Sequence, residues 1–346
     1  MRTPISRRRG FRAAVLAMIL IGGWASASMA AYHLIRKVPI GGEGWWDFLR
    51  MDADARRLYV TRGTHVIVLD IDSLKVVGDI PNTPGVHGVA LAPEFGRGFT
   101  SNGADTSSAI FDSKDDHPLG RVRTGYRPDA IVYDPASKRV FTMNGGSRDA
   151  TAIDAAKGAV VGSVALGGRP EEAVPDGSGR LFVNIEDSSA VVVVDTRKLA
   201  TIARWPLAPG EGPSGIALDA EHHRLFSVCG NQLMVVMDSE TGRVVATLPI
   251  GKSVDGVAFD PGKNLAFSSN GEGNLTVVRE ETPDKFSVAE TVPTQAGART
   301  IALDAKTHRV FTVTAEFGPA PSPTPENPRP RRAIIPGSFV LLVLGE

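Results

Sequence analysis

The stretch "DAIVYDPASKRVFTMN", residues 129–144, decides the fold of this 346-residue chain. An apolar run closes on Asp134, a polar turn follows, and a second apolar run begins at Arg139. Short apolar runs punctuated by Asp, Pro and Ser read as β-strands joined by tight turns. The same grammar recurs in "DFLRMD", "HGVALA", "EEAVPD", "SGIALD", "DGVAFD" and "RTIALD". The anchors are Asp52, Ala92, Asp134, Asp176, Asp219, Asp260 and Asp304, spaced 40, 42, 42, 43, 41 and 44 residues apart. Four or five residues past each anchor stand Arg57, Arg97, Arg139, Arg180, Arg224, Asn264 and Arg309.

Each unit continues with a third segment, such as "VIVLD" or "VVVVD", and a fourth resembling "RVVATLPIG". Seven units of four strands, with a period of about 42 residues, predict an all-β, seven-bladed β-propeller. The strands alternate poorly and are rich in Val, Ile and Ala, as expected where both sheet faces are covered. The expected blades span 43–85, 86–125, 126–168, 169–212, 213–252, 253–297 and 298–346. The last unit lacks a fourth strand. "HLIRKVPIGG" (33–42) matches "RVVATLPIGK" (243–252) and is expected to supply it, pairing both chain ends and removing two open edges.

"RVFTMN", "RLFVNI", "VVVVD" and the "LPIG" endings resemble the YVTN-repeat (YncE-like) propellers of exported bacterial proteins, over roughly residues 33–346. "LYVTRG" (58–63) comes nearest to the name-giving string. The resemblance implies a seven-bladed propeller and export, and little about activity, because propellers host unrelated functions.

Residues 1–30 carry a basic start, an apolar run from Ala13 to about Trp24, and small residues before Ala31. This is the layout of a cleavable secretory signal, cut after Ala30 or Ala27. Arg8-Arg9-Gly10-Phe11 leaves twin-arginine and ordinary export both open. The expected location is periplasmic or secreted, with no membrane span in the mature chain. This segment holds five of the 38 basic residues and no acids, so the remainder carries 33 basic and 38 acidic residues. That balance argues against a protein living on phosphate contacts, and so against nucleic acid. Cys229 is the single cysteine; it excludes an internal disulfide and reads as a small buried hydrophobe.

Recurrence of the Asp and Arg positions points to turn capping and an Asp–Arg pair per blade. Chemistry is expected where the repeat breaks, at the mouth of the central channel. The residues five before each anchor are Asp47, His87, Asp129, Glu171, Ser214, Asp255 and Arg299. Loops on the same side contribute Asn102, Asn144, Asn184, Asn270 and Glu316. These groups either satisfy backbone and channel water, bind a small polar ligand or a protein partner, or hold a divalent cation. Oxygen donors from Asp129, Glu171, Asp255 and Asn144 suit calcium, magnesium or manganese. Trp45 and Trp46 precede the ring in blade one, as packing or as an aromatic wall for a flat or cationic ligand. The insertion 315–338 holds seven prolines, with Arg329, Arg331 and Arg332, and reads as a stiff loop or lid over the mouth.

No nucleophile elbow, metalloprotease helix motif, phosphate loop or haem-attachment motif is present. The leading expectation is a monomeric, non-enzymatic binding or scaffold protein. The alternative is a metal-dependent lactonase using the same mouth, with His87 carrying the proton. A redox-partner role would need repeated tryptophan motifs, and only Trp45, Trp46 and Trp205 lie beyond the leader.

Overall fold

The computed structural model describes residues 1, 31–324, 330 and 332–346; the signal segment and Arg329 and Arg331 lie outside the described residues. Seven four-stranded antiparallel sheets form, and their innermost strands neighbour one another in a closed ring. The chain is a seven-bladed β-propeller. The last blade is ordered His33–Pro39, Val340–Gly345, Arg309–Thr314, Ala302–Asp304 from rim to centre, so the N-terminal strand does complete the ring. No helix among the described residues is long and apolar enough to cross a membrane.

The core lies between blades. The residue six or seven past each anchor is aromatic: Tyr59, Phe99, Phe141, Phe182, Phe226, Phe267 and Phe311, none more than 1 % exposed. Each such burial contributes about 2 kcal/mol, so the second strand of every blade is a wedge driven against its neighbour. Outer strands such as Ala159–Ala165 are mostly exposed, as the rim of a closed ring requires.

The anchor aspartates cap the turns that follow them. Asp134 accepts from the Ala136 and Ser137 amides at 3.3 and 3.0 Å, and Asp52 from Ala55 at 2.9 Å. The expected Asp–Arg pair within each blade is corrected by the structure. Among the described residues, the repeated arginine pairs with an aspartate of its own blade in only two blades, Arg180–Asp176 at 2.7 Å and Arg224–Asp238 at 3.0 Å. The shared function of the arginines is to reach the next blade. Arg57 donates to the Ser113 carbonyl, Arg97 to Ala155, Arg139 to Thr196, Arg180 to Ser239 and Arg224 to Pro283. A guanidinium fork on a long stem spans the gap between neighbouring turns and satisfies carbonyls there.

Candidate functional site

Five of the seven ring positions sit in β-bulges. The ladder between first and second strands slips at Val86/Gly88, Pro128/Ile131, Pro170/Ala173, Pro213/Ile216 and Val254/Gly256. A bulge frees one residue from pairing and re-aims its side chain. The freed residues include His87, Asp129, Glu171, Ser214 and Asp255.

The structure brings five ring residues into one chain of alternating charge. His87 Nδ1 lies 2.7 Å from Asp47 and 3.3 Å from Asp129. Arg299 lies 3.6 Å from Asp47 on one side and pairs closely with Asp255 on the other. Read around the ring, Asp129, His87, Asp47, Arg299 and Asp255 alternate acidic with basic groups. Glu171 stands apart, facing Glu186, which in turn pairs with Arg169. The mouth is therefore not an open cluster of carboxylates. Of the four residues proposed to hold a cation, only Asp129 joins a group of suitably close donors, and its companions are Asp47 and His87.

The asparagines do not enter the ring. Asn102, Asn144 and Asn270 are fully buried and tie the second strand to the third. Asn144 Nδ2 donates to Asp149 and Thr151, each at 2.9 Å, and its Oδ1 accepts from Thr142. Asn184 spans to the next blade, donating to the Ser214 and Gly215 carbonyls at 3.0 and 2.9 Å. Glu316 is exposed and its amide donates to Ser338.

Burial sets the ring's acidity. Desolvation pushes the Asp129 carboxyl up to about 6, against the pull of His87. It pushes Asp255 up to about 7 despite Arg299, and Glu171 up to about 10, with Glu186 adding to the rise. Burial alone would lower the His87 pKa, but its bond to Asp47 and the charges of both aspartates raise it.

Glu172 was not singled out by the repeat, because the other blades carry Phe48, Gly88, Ala130, Gly215, Gly256 and Thr300 there. The paired glutamates of "PEEAV" were the available signal. Its Oε2 accepts from the Ile216 amide at 3.1 Å, and burial holds its carboxyl up at about 8. A carboxyl whose pKa rises on folding keeps its proton longer in the native state than in the unfolded chain. Its stabilising contribution is complete below the unfolded value of about 4.3 and is lost as pH climbs through about 8. Glu172→Gln is therefore expected to stabilise the protein by about 1–2 kcal/mol at pH 9 and by almost nothing at pH 4. Melting curves of both proteins across that range test this, and a difference independent of pH would refute it.

An aromatic wall stands beside this chain of charges. Trp46 is buried, Trp45 half-exposed. Trp45 stacks on Trp46 and on Phe317, with centroids 6.0 and 6.1 Å apart, and Trp46 meets Phe339 at 5.3 Å. Phe317 comes from the proline-rich insertion, whose Arg332 lies 5.7 Å above the Phe317 ring. Arg62, fully buried, lies 3.6 Å over Phe339 and donates to the Glu43 carbonyl at 2.9 Å. That clamp brings Gly44 so close that a Cβ would stand 2.4 Å from the Arg62 carbonyl oxygen, at φ +98°; only glycine fits, and it delivers Trp45 and Trp46 to the mouth. Trp45, Trp46, Phe317, His87, Arg299 and Arg332 line a cavity of about 590 Å³. A second cavity of about 420 Å³ continues past His87 to Asp129 and Glu171.

No family model matches the chain, and no curated protein does. Solved structures share its fold. A chain of "Kuenenia stuttgartiensis Hydrazine Synthase" has TM-score 0.67 and 16 % identity, covering 80 % of this chain and 92 % of that one. The chain of "Structure of U3-55K" has TM-score 0.72 and 12 % identity, covering 88 % and 97 %. A chain of the Mitotic Checkpoint Complex has TM-score 0.69 and 14 % identity, covering 89 % and 95 %. At these identities the likeness is one of fold, and the class defined is the β-propeller.

Proposed function

We propose that this protein is an exported, YVTN-like propeller that binds a small planar ligand at the mouth between blades one, two and seven. The carrying observation is the 590 Å³ cavity, which joins an aromatic wall to a few convergent polar groups, the usual make-up of a small-molecule site. The half-exposed face of Trp45 offers a stacking surface. His87 and Arg299, each already oriented by a carboxylate, offer hydrogen bonds to a polar or anionic edge of the ligand. Their salt bridges disfavour a bare divalent cation there, since it would have to displace both.

Native mass spectrometry of protein taken from its own compartment tests the reading. A retained small molecule that is lost in Trp45→Ala supports it. That variant is expected to weaken binding at least tenfold while costing only about 1 kcal/mol of stability. Retention of a protein partner instead would move the reading to scaffold, a role to which the Mitotic Checkpoint Complex chain lends weight. Metal-dependent turnover of a lactone panel would favour the hydrolase alternative, with His87 as proton carrier.

A further inference from the structure

On the face opposite the mouth, the repeat is broken twice at one place. The position three past the anchor is Ala55, Phe95, Ser137, Gly179, Lys263 or Thr307 in six blades, and His222 in blade five. The residue after the third strand's terminal position is Ile71, Ser113, Ala155, Thr196 or Ser239 in the first five blades, and Glu280 in blade six. Its equivalence is fixed by the backbone: the Ile71, Ala155, Ser239 and Glu280 amides donate to Arg56, Lys138, His223 and Asn264 carbonyls, respectively. Blade seven carries Glu346 at the same position, where it pairs at 2.7 Å with Lys263, the blade-six counterpart of His222; only Glu280 meets a histidine there.

His222 and Glu280 meet across the interface of blades five and six, beside an anchor aspartate. His222 Nδ1 lies 2.7 Å from Asp219 Oδ2 and 3.1 Å from Glu280 Oε1. Glu280 is 5 % exposed, and neither of its oxygens receives a hydrogen bond. His222 Nδ1 is in hydrogen-bond contact with Asp219 Oδ2. The nearby Arg224 is committed elsewhere, to Asp238, Asp284 and the Pro283 carbonyl. Asp219 Oδ1 caps its own turn at Glu221, so Oδ2 is the oxygen turned to the cluster. A buried carboxylate without a donor is expensive, and buried charges are normally paired or bound to metal.

We propose that Asp219, His222 and Glu280 form a divalent cation site that ties blade five to blade six. The three donor atoms all lie within 4.8 Å of one another. A tetrahedral ion with bonds of about 2.1 Å holds its donors about 3.4 Å apart, so the group need open only slightly. One imidazole and two carboxylates suit zinc or manganese better than calcium or copper(I). His222 is partly exposed, which provides a path for entry and a coordination position for water. Asp219 is one of six turn-capping anchor aspartates; the histidine and the buried glutamate are the additions that convert a cap into a ligand set.

The test is a titration of the purified full-length chain with zinc(II) by calorimetry, and with cobalt(II) followed by its visible absorption. The expected result is one equivalent bound, with zinc displacing cobalt and raising the melting temperature. Glu280→Gln, which preserves shape and removes the buried charge, and His222→Ala, at a partly exposed position, are each expected to weaken binding at least tenfold and to abolish the thermal shift. His87→Ala at the mouth should leave it intact. Absence of binding by the unaltered chain would overturn the site and leave a proton shared between Asp219 and Glu280 as the arrangement. Wild-type affinity in both Glu280→Gln and His222→Ala, or loss of the ion in His87→Ala alone, would overturn it as well.

Discussion

Deleting residues 31–40 is expected to lower the melting temperature by about 10 °C or more. Strand His33–Pro39 pairs along Val340–Gly345, with partners from His33↔Gly345 to Pro39↔Val340. The Ile40 and Gly41 amides extend the ladder to the Phe339 carbonyl at 2.9 and 3.0 Å. Just upstream, Tyr32 is 4 % exposed, its ring 4.9 Å from Phe267 and its hydroxyl donating to the His308 carbonyl at 2.9 Å. Each backbone bond contributes about 1 kcal/mol net and the tyrosine about 2 kcal/mol. The sum is comparable to the 5–15 kcal/mol that stabilises a typical domain. The deletion also bares Val340–Gly345, six buried residues, as an unpaired apolar edge that invites association. Circular dichroism melting and light scattering on the shortened chain measure both effects; an unchanged melting point would show that the ring closes without this strand.

The two tryptophans at the mouth are expected to part company. Trp46→Ala should cost about 3–5 kcal/mol, the range for removing a large buried aromatic. Trp46 is 5 % exposed and belongs to the core that joins blade one to blade seven, with Leu49, Phe311 and Phe339. Removing it leaves a cavity at the seam where the chain's two ends meet, and takes the floor from under Trp45 and Phe317. Trp45→Ala removes a half-exposed ring resting on that floor, and its main effect falls on binding. Denaturant unfolding of both variants decides between them. Equal losses would mean that both rings are core and would remove the stacking surface from the proposed site.

The repeat was legible because a propeller spends the same residues on the same task seven times. An anchor such as Asp134 caps the same turn in nearly every blade, and its spacing to Arg139 is a matter of chain geometry alone. The missing fourth strand at one end and the surplus strand at the other followed from the same count. The ring of mouth residues was legible for a related reason: their distance from the anchor is constant, even though their identities vary.

Which partner each of those residues finds is a matter of tertiary structure. Asp129, His87 and Asp47 come from three successive blades, and only the stacking of those blades sets them within hydrogen-bonding reach. Equal spacing along the chain suggested a set of acids open to a cation; the bulges instead interleave them with His87 and Arg299, and desolvation then shifts their acidity. Asn144 has the right offset for the mouth, yet its side chain turns into the blade because a buried amide must be satisfied locally. The repeated arginines reach across to the next blade, a contact between residues more than fifty apart that no local pattern encodes. The sequence by itself determined the number of blades, their order and the closure of the ring, since these rest on periodic short-range patterning. Charge pairing at the mouth, the aromatic wall and the meeting of His222 with Glu280 were decided only by the fold, because electrostatics and burial depend on distance in space.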